Sequence, residues 1–402
     1  MRAASTRRVI CSAMVGVATT RPRTSEEPQG ATFIELFFDL VFVYALTQVT
    51  SLLVHDLSWN GAARAVVVAW LVWWAWTQFT WTLSPADTTH PVVEVVVLVA
   101  TAIAFFMARS VTETFTGNPW LFLVPYLAIR VVGMGLYAWV GGNTDRQMAR
   151  SMGLFGLASV PAMLALLAGA ALGPDARTGL WAAAILLDLG AGVAVRGMTW
   201  RIHVSHFAER HALFVIIALG ESLIAVGVAS TALDASVSSF LVKGAGVALV
   251  CGLWWVYFGW FKSWLELRAE VLNSIDFTRN AYSFVHFLIV MGVVGVAASL
   301  DVAIAHPGEP FATPAATSFL LGTTSYVGGV ALLAWMAGRI ILAVRLGLLA
   351  TIVISSLVAA AMEASGALVV ALAAAALGLI GVIEHLRPVR AEGAVVERPS
   401  SS

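Results

Sequence analysis

The stretch FIELFFDLVFVYALTQVTSLLV at residues 33–54 carries two acids, Glu35 and Asp39, in an otherwise apolar or weakly polar text. A helix needs about 20 such residues to cross the hydrocarbon core of a bilayer. Inside that core no water can satisfy a backbone amide, so a lone spanning segment is α-helical. Outward from this stretch, runs of the same kind recur at 62–83, 91–107, 120–140, 151–172 and 178–195, then at 212–231, 237–261, 281–300, 318–337, 342–362 and 366–383. Turn chemistry separates them at Ser84-Pro85, Gly117-Asn118-Pro119, Gly141-Gly142-Asn143, Gly173-Pro174-Asp175 and His306-Pro307-Gly308. The expected fold is an all-α, polytopic transmembrane helix bundle of about twelve spans.

Composition agrees. Hydrophobic residues make up 59% of the 402 and charged residues 11%, whereas a soluble domain carries about 25% charge. The mean hydropathy is +0.87. The expected partner is therefore the lipid bilayer, and a net charge of zero gives no reason to expect nucleic acid. Cys11 lies in a polar tail and Cys251 in an apolar run, so no structural disulfide is expected. The 15 tryptophans fit the interfacial enrichment of membrane proteins.

Short cytoplasmic loops should collect Arg and Lys. With the N-terminus inside, eighteen of the 23 cationic residues fall on inner segments: Arg2, Arg7, Arg8, Arg21 and Arg23, then Arg146 and Arg150, Arg196, Arg201 and Arg210, Lys262, Arg268 and Arg279, Arg339 and Arg345, and Arg387, Arg390 and Arg398. Arg64, Arg109, Arg177 and Lys243 fall outside, and Arg130 lies within a span. Both termini are thus expected in the cytoplasm. A signal peptide at Arg7-Arg8 and the short apolar run 9–18 would invert this balance, so residues 1–32 are read as a disordered cytoplasmic tail.

The second half echoes the first. Trp73-Trp74-Ala75-Trp76 resembles Trp254-Trp255-Val256-Tyr257, and Tyr44-Ala45-Leu46-Thr47-Gln48 resembles Ile217-Ala218-Leu219-Gly220-Glu221. Six spans per unit make the repeats parallel, about an axis normal to the membrane, an arrangement in which transporters place sites between the halves. The expected units are 33–200 and 201–386, followed by a cytoplasmic tail at 387–402.

Charge inside a span is costly, roughly 2.5–3.5 kcal/mol at mid-helix. Glu35 and Asp39 share one face of the first span, with Glu35 read equally well as a headgroup-level residue. Arg130, Asp188 and Glu221 fall near the middle of their spans, where one Arg with two acids would form a neutralising cluster or a packing pair. Asp39, Asp188 and Glu221 outnumber that single cation, which points to a protonated carboxylate or to one awaiting a positive ligand. His286 is a lone intramembrane histidine, suited to core packing or to proton transfer. The text His203-Val-Ser-His206-Phe-Ala-Glu209-Arg210-His211 has neither H-E-x-x-H nor H-x-x-E-H spacing, so no metal centre is expected. No phosphate-binding glycine loop is present in the sequence, and no cofactor is expected.

The text from Phe33 through Glu35 and Asp39 to Val43 resembles the opening signature of the bacterial low temperature requirement A family. The text His206-Phe-Ala-Glu209-Arg210-His211, running on through Gly220 and Glu221, resembles that family's second block. The resemblance extends over residues 30–386. It implies a multi-pass inner-membrane protein and marks Glu35, Asp39, Glu209, Arg210, His211, Gly220 and Glu221 as motif positions; it implies no reaction, substrate or catalytic residue. The leading expectation is a transporter or permeation pathway for a small solute or cation, with Asp39 and Glu221 binding a cation or proton and Arg130 holding a partner carboxylate. A membrane sensor or scaffold, and an intramembrane lipid enzyme using Glu221 or His286, are the alternatives.

Overall fold

The computed structural model describes residues 30–142, 145–195, 197–198, 200–229, 237–338 and 342–386. Most of both expected tails, Arg196, Arg339 and the connection at 230–236 lie outside the described residues, and with them more than half of the arginines on which the sidedness expectation rests. The helices are α1 (Phe33–His55), α2 (Trp59–Leu83), α3 (Pro91–Arg109), α4 (Trp120–Gly142), α5 (Arg146–Ala158), α6 (Val160–Ala171) and α7 (Pro174–Ala194). They continue with α8 (Val204–Ala229), α9 (Val237–Phe258), α10 (Phe261–Leu272), α11 (Ile275–Thr278), a π-helical turn at Arg279–Val285, α12 (His286–Ala305), α13 (Thr313–Ala337), α14 (Leu342–Ala361) and α15 (Gly366–Leu386).

Eleven helical runs among the described residues are long and apolar enough to cross a membrane. The helix α2 is the twelfth long one. Its 25 residues reach roughly 37 Å. Its lower apolarity comes from Trp, Thr and Gln side chains that are mostly buried against other helices, with Trp73, Trp76, Thr80 and Thr82 all sealed. The chain is an all-α polytopic bundle.

Proline and glycine set the irregular points. The helices α5 and α6 form a single run, Arg146–Ala171. It breaks at Ser159 because Pro161 has no amide to give the preceding turn. After α9, a turn at Gly259 leads into α10, which buries Phe261, Leu265 and Ala269 on one stripe. Asn273, in the left-handed conformation at φ 42°, ends α10. The helix α12 is apolar all round, as befits a central helix, and its residues from Val293 to Leu300 are buried without a break.

Against α12, helix α13 packs at backbone distance. A methyl added at Gly292 would stand 2.6 Å from the Tyr326 amide nitrogen, and one at Gly322 2.7 Å from that of Val296. Small residues allow this approach, and dispersion between the backbones replaces the hydrophobic drive that lipid cannot supply. Gly322→Ala is expected to cost about 1–3 kcal/mol through overpacking, read as a lower melting temperature in detergent. Gly328→Ala, with nothing within 4 Å of the added methyl, should leave melting unchanged.

Candidate functional site

The α1 helix begins where Glu35, its third residue, reaches back to accept hydrogen bonds from the Thr32 amide at 2.9 Å and hydroxyl at 2.8 Å. Ala31 donates its amide to Glu209 on α8 at 3.1 Å, so the last residues of the expected N-terminal tail are docked onto the bundle. The α8 helix starts at Val204, eight residues before the span expected from hydropathy. That extension carries His206 and Arg210 out of the expected loop and into the core, both fully buried.

These two side chains meet the acids of α1. Arg210 Nη1 donates to Glu35 at 2.8 Å, and its Nη2 and Nε both donate to Asp39, Nε at 3.1 Å. His206 Nε2 lies 3.1 Å from Glu35 Oε1. Trp76 on α2 donates its indole N–H to Asp39 at 2.7 Å and sets its ring 6.0 Å from the guanidinium carbon, a cation–π contact. Glu35 and His206 are each third in their helices, and Asp39 and Arg210 each seventh. The two helices therefore run parallel and level. Buried donors meet both acids of α1: Arg210, His206 and Thr32 for Glu35, and Arg210 and Trp76 for Asp39.

Beside this clamp lies an aromatic and imidazole cluster. His211 donates Nδ1–H to the Phe207 carbonyl at 2.8 Å, while its ring sits 4.8 Å from Trp76 and 5.6 Å from His286. His286 donates Nδ1–H to Ala281 O at 2.8 Å, and its Nε2 accepts the Tyr257 hydroxyl at 2.6 Å. The acceptor carbonyls fix both tautomers, since a carbonyl can only accept. The turn that precedes His286 is π-helical, its backbone bonds running to the fifth residue on, a form frequent at functional sites. Ala281 O takes His286, and Ser283 O takes the Trp73 indole at 2.7 Å.

The other expected residues lie elsewhere. Arg130 forks onto Asp188 at 2.7 and 3.2 Å and also donates to Tyr126. This pair is as sealed as the first, with the residues 2% and 4% exposed. Glu221 joins neither pair. Because α8 starts early, Glu221 lies roughly 26 Å along the helix, past the middle where hydropathy put it. Among the described residues it has no ion-pair partner, and it lines a gap of about 30 Å³ with Thr47, Thr50 and Ser222. Nothing within 4 Å of Gly220 requires a glycine there.

A much larger cavity, about 490 Å³, opens between the α1–α7 part and the α8–α15 part. Trp74, Trp81, Trp200, Phe155 and Phe284 wall it, and Asp276 and Arg279, paired at 2.7 Å, belong to its lining. Trp81 donates to the Ser283 hydroxyl at 3.2 Å, joining α2 to the π turn. His203 donates its amide to Ser84 at 2.8 Å, which places the end of α2 beside the start of α8 and hence of α1. The volume and the apolar, sparsely polar walls are those of a small-molecule pocket. Sequence reading named His206, Trp76 and Tyr257 but missed the contacts they make, and it missed this vestibule. The dense tryptophan text of α2 was the available signal, and interfacial anchoring had absorbed it.

Parallel level helices clamped by a buried ion network, with a vestibule beside them, define a multi-pass helical membrane protein that has a preformed internal pocket. Residues 30–381 match the family model described as bacterial low temperature requirement A protein (LtrA), and the chain belongs to that family. It is 31% identical over 296 residues to a protein of Rhizobium meliloti described as uncharacterized, covering 69% of this chain and 70% of that one. No solved structure matches the chain.

Proposed function

We propose that the protein is a transporter for a small amphipathic solute, with the vestibule between its two parts as the solute site. The observation that carries this reading is the vestibule itself: a preformed, aromatic-walled space at the seam between the two parts, the place where duplicated transporters set their solute sites. Glu221 is the carboxylate for a coupling proton or small cation: among the described residues it stands outside both buried ion pairs and faces a gap beside Thr47, Thr50 and Ser222. Asp39 and Arg130, by contrast, hold helices together.

The seam fits a duplicated architecture of units 33–200 and 201–386. The textual match sets Tyr44 against Ile217, 173 positions on. The contacts Asp39–Arg210 and Glu35–Arg210 join residues 171 and 175 apart, bracketing that offset. An axis parallel to both helices brings equivalent residues to one depth in this way. The matched tryptophan texts end on Trp76 and Tyr257, each bonded to a buried partner. The bacterial inner membrane with cytoplasmic termini is the setting we assign from the arginine count, and the vestibule then lies at the cytoplasmic end.

A second reading has one observation in its favour. Both ion pairs are fully sealed, as suits a non-transporting sensor or scaffold whose charges serve packing. The lipid-enzyme reading is weaker, because neither Glu221 nor His286 lines the vestibule.

With Cys11 and Cys251 replaced by Ser, Met198→Cys on the vestibule wall, a half-buried position, is expected to react with a small hydrophilic methanethiosulfonate, and Thr80→Cys, sealed and away from it, to stay inert. An inert Met198→Cys would remove the vestibule as an entry route. In proteoliposomes Glu221→Gln should abolish proton or cation flux at unchanged melting temperature. A melting loss with no wild-type flux would favour the scaffold.

A further inference from the structure

On its vestibule face, α2 carries Trp74, Thr77, Gln78 and Trp81, at the three- and four-residue spacing that aligns side chains on one side of a helix. Three polar atoms on this face are buried without a hydrogen-bond partner: Trp74 Nε1, Thr77 Oγ1 and Gln78 Oε1. The residues themselves are deeply placed, Thr77 being 1% and Gln78 7% exposed. Their neighbours are already used. Trp73 and Trp81 spend their N–H groups on Ser283, and Trp76 spends its own on Asp39.

Gln78 also has a fixed orientation. Its Nε2 donates to the Arg130 carbonyl at 2.8 Å, and only the NH₂ end can do so, which leaves the oxygen as the open end. An orphaned buried polar atom keeps the full penalty of its lost water, and native structures keep very few. Three on one helical face, all belonging to residues that line the same cavity, imply a missing partner there.

We infer that this face of α2 is the recognition edge for an uncharged ligand that presents a hydrogen-bond donor and an acceptor side by side on an apolar body, in the manner of a secondary amide. This rests on the vestibule being a solute site. The indole N–H takes the ligand's acceptor, the Gln78 oxygen takes its donor, and the Thr77 hydroxyl serves either. The apolar body lies among Trp81, Phe155 and Phe284. The ligand head is neutral because the charged residues lining the vestibule, Asp276 and Arg279, already neutralise each other, and an unpaired charge against these walls would be heavily penalised.

The test uses the full chain in lipid nanodiscs and three probes of similar size: benzanilide, its hydrocarbon counterpart trans-stilbene, and biphenyl-4-carboxylate. Benzanilide is expected to bind saturably and more tightly than the other two. In the double variant Trp74→Phe and Thr77→Val, benzanilide affinity should fall about tenfold, while stilbene binding holds and the melting temperature stays level or rises, since the atoms removed have no partner in the protein. Equal binding of all three probes, or tighter binding of the carboxylate, would overturn the recognition edge and leave the vestibule reading standing. A marked melting loss in the double variant would also overturn it, by showing that the polar atoms are used internally. Saturable binding of no probe would remove the vestibule reading and the recognition edge together.

Discussion

Arg210 is the interaction on which the rest of the structure depends. Its guanidinium bridges Glu35 and Asp39, so one buried side chain of α8 ties that helix to two turns of α1. The geometry has to be complete because the site is dry. Removing one partner from a buried ion pair costs about 3–5 kcal/mol, most of it from the charge left behind. His206, Thr32 and Trp76 supply the remaining donors. Through Trp76 the clamp also sets α2, and α2 is the helix that walls the vestibule. The sequence-level choice of two acids four apart on α1 and a His and Arg four apart on α8 thus fixes helix depth, packing and the shape of the cavity.

A different logic governs α2. Its tryptophans are too polar at the ring nitrogen for a lipid-facing span and too large for a tight helix crossing, so they need partners. Three find them: Ser283 O for Trp73, Asp39 for Trp76 and Ser283 Oγ for Trp81. Two of those bonds end on Ser283 of the π turn. The aromatic wall and the irregular turn therefore stabilise each other across the seam. Close glycine packing holds α12 and α13 at backbone distance.

Much of this was legible in the sequence. Span positions followed from length and apolarity, and family membership from the two motif blocks. The pairing of Arg130 with Asp188 was foreshadowed by their common depth. The clamp was not read, because hydropathy starts α8 at 212 and so leaves Arg210 in a loop, counted as a cytoplasmic charge. Arg210, Glu35 and Asp39 were nonetheless all motif positions, and charges of opposite sign on two helices were the usable hint. Arg345, counted with the inner segments although it lies within the expected 342–362 span, is fully buried near the start of α14, donating to Val256 O at 3.0 Å. The vestibule and the π turn lay beyond reach, since both arise from how distant helices meet rather than from any local pattern.

The most direct measurement is a double-mutant cycle on Asp39 and Arg210, read as unfolding free energy in a mild detergent. Asp39→Asn and Arg210→Gln are each expected to cost several kcal/mol, and the pair together clearly less than the sum, with a coupling of about 1–3 kcal/mol. Strict additivity would contradict the account, because it would mean that the two parts of the bundle are held at this depth by something other than the Arg210 clamp.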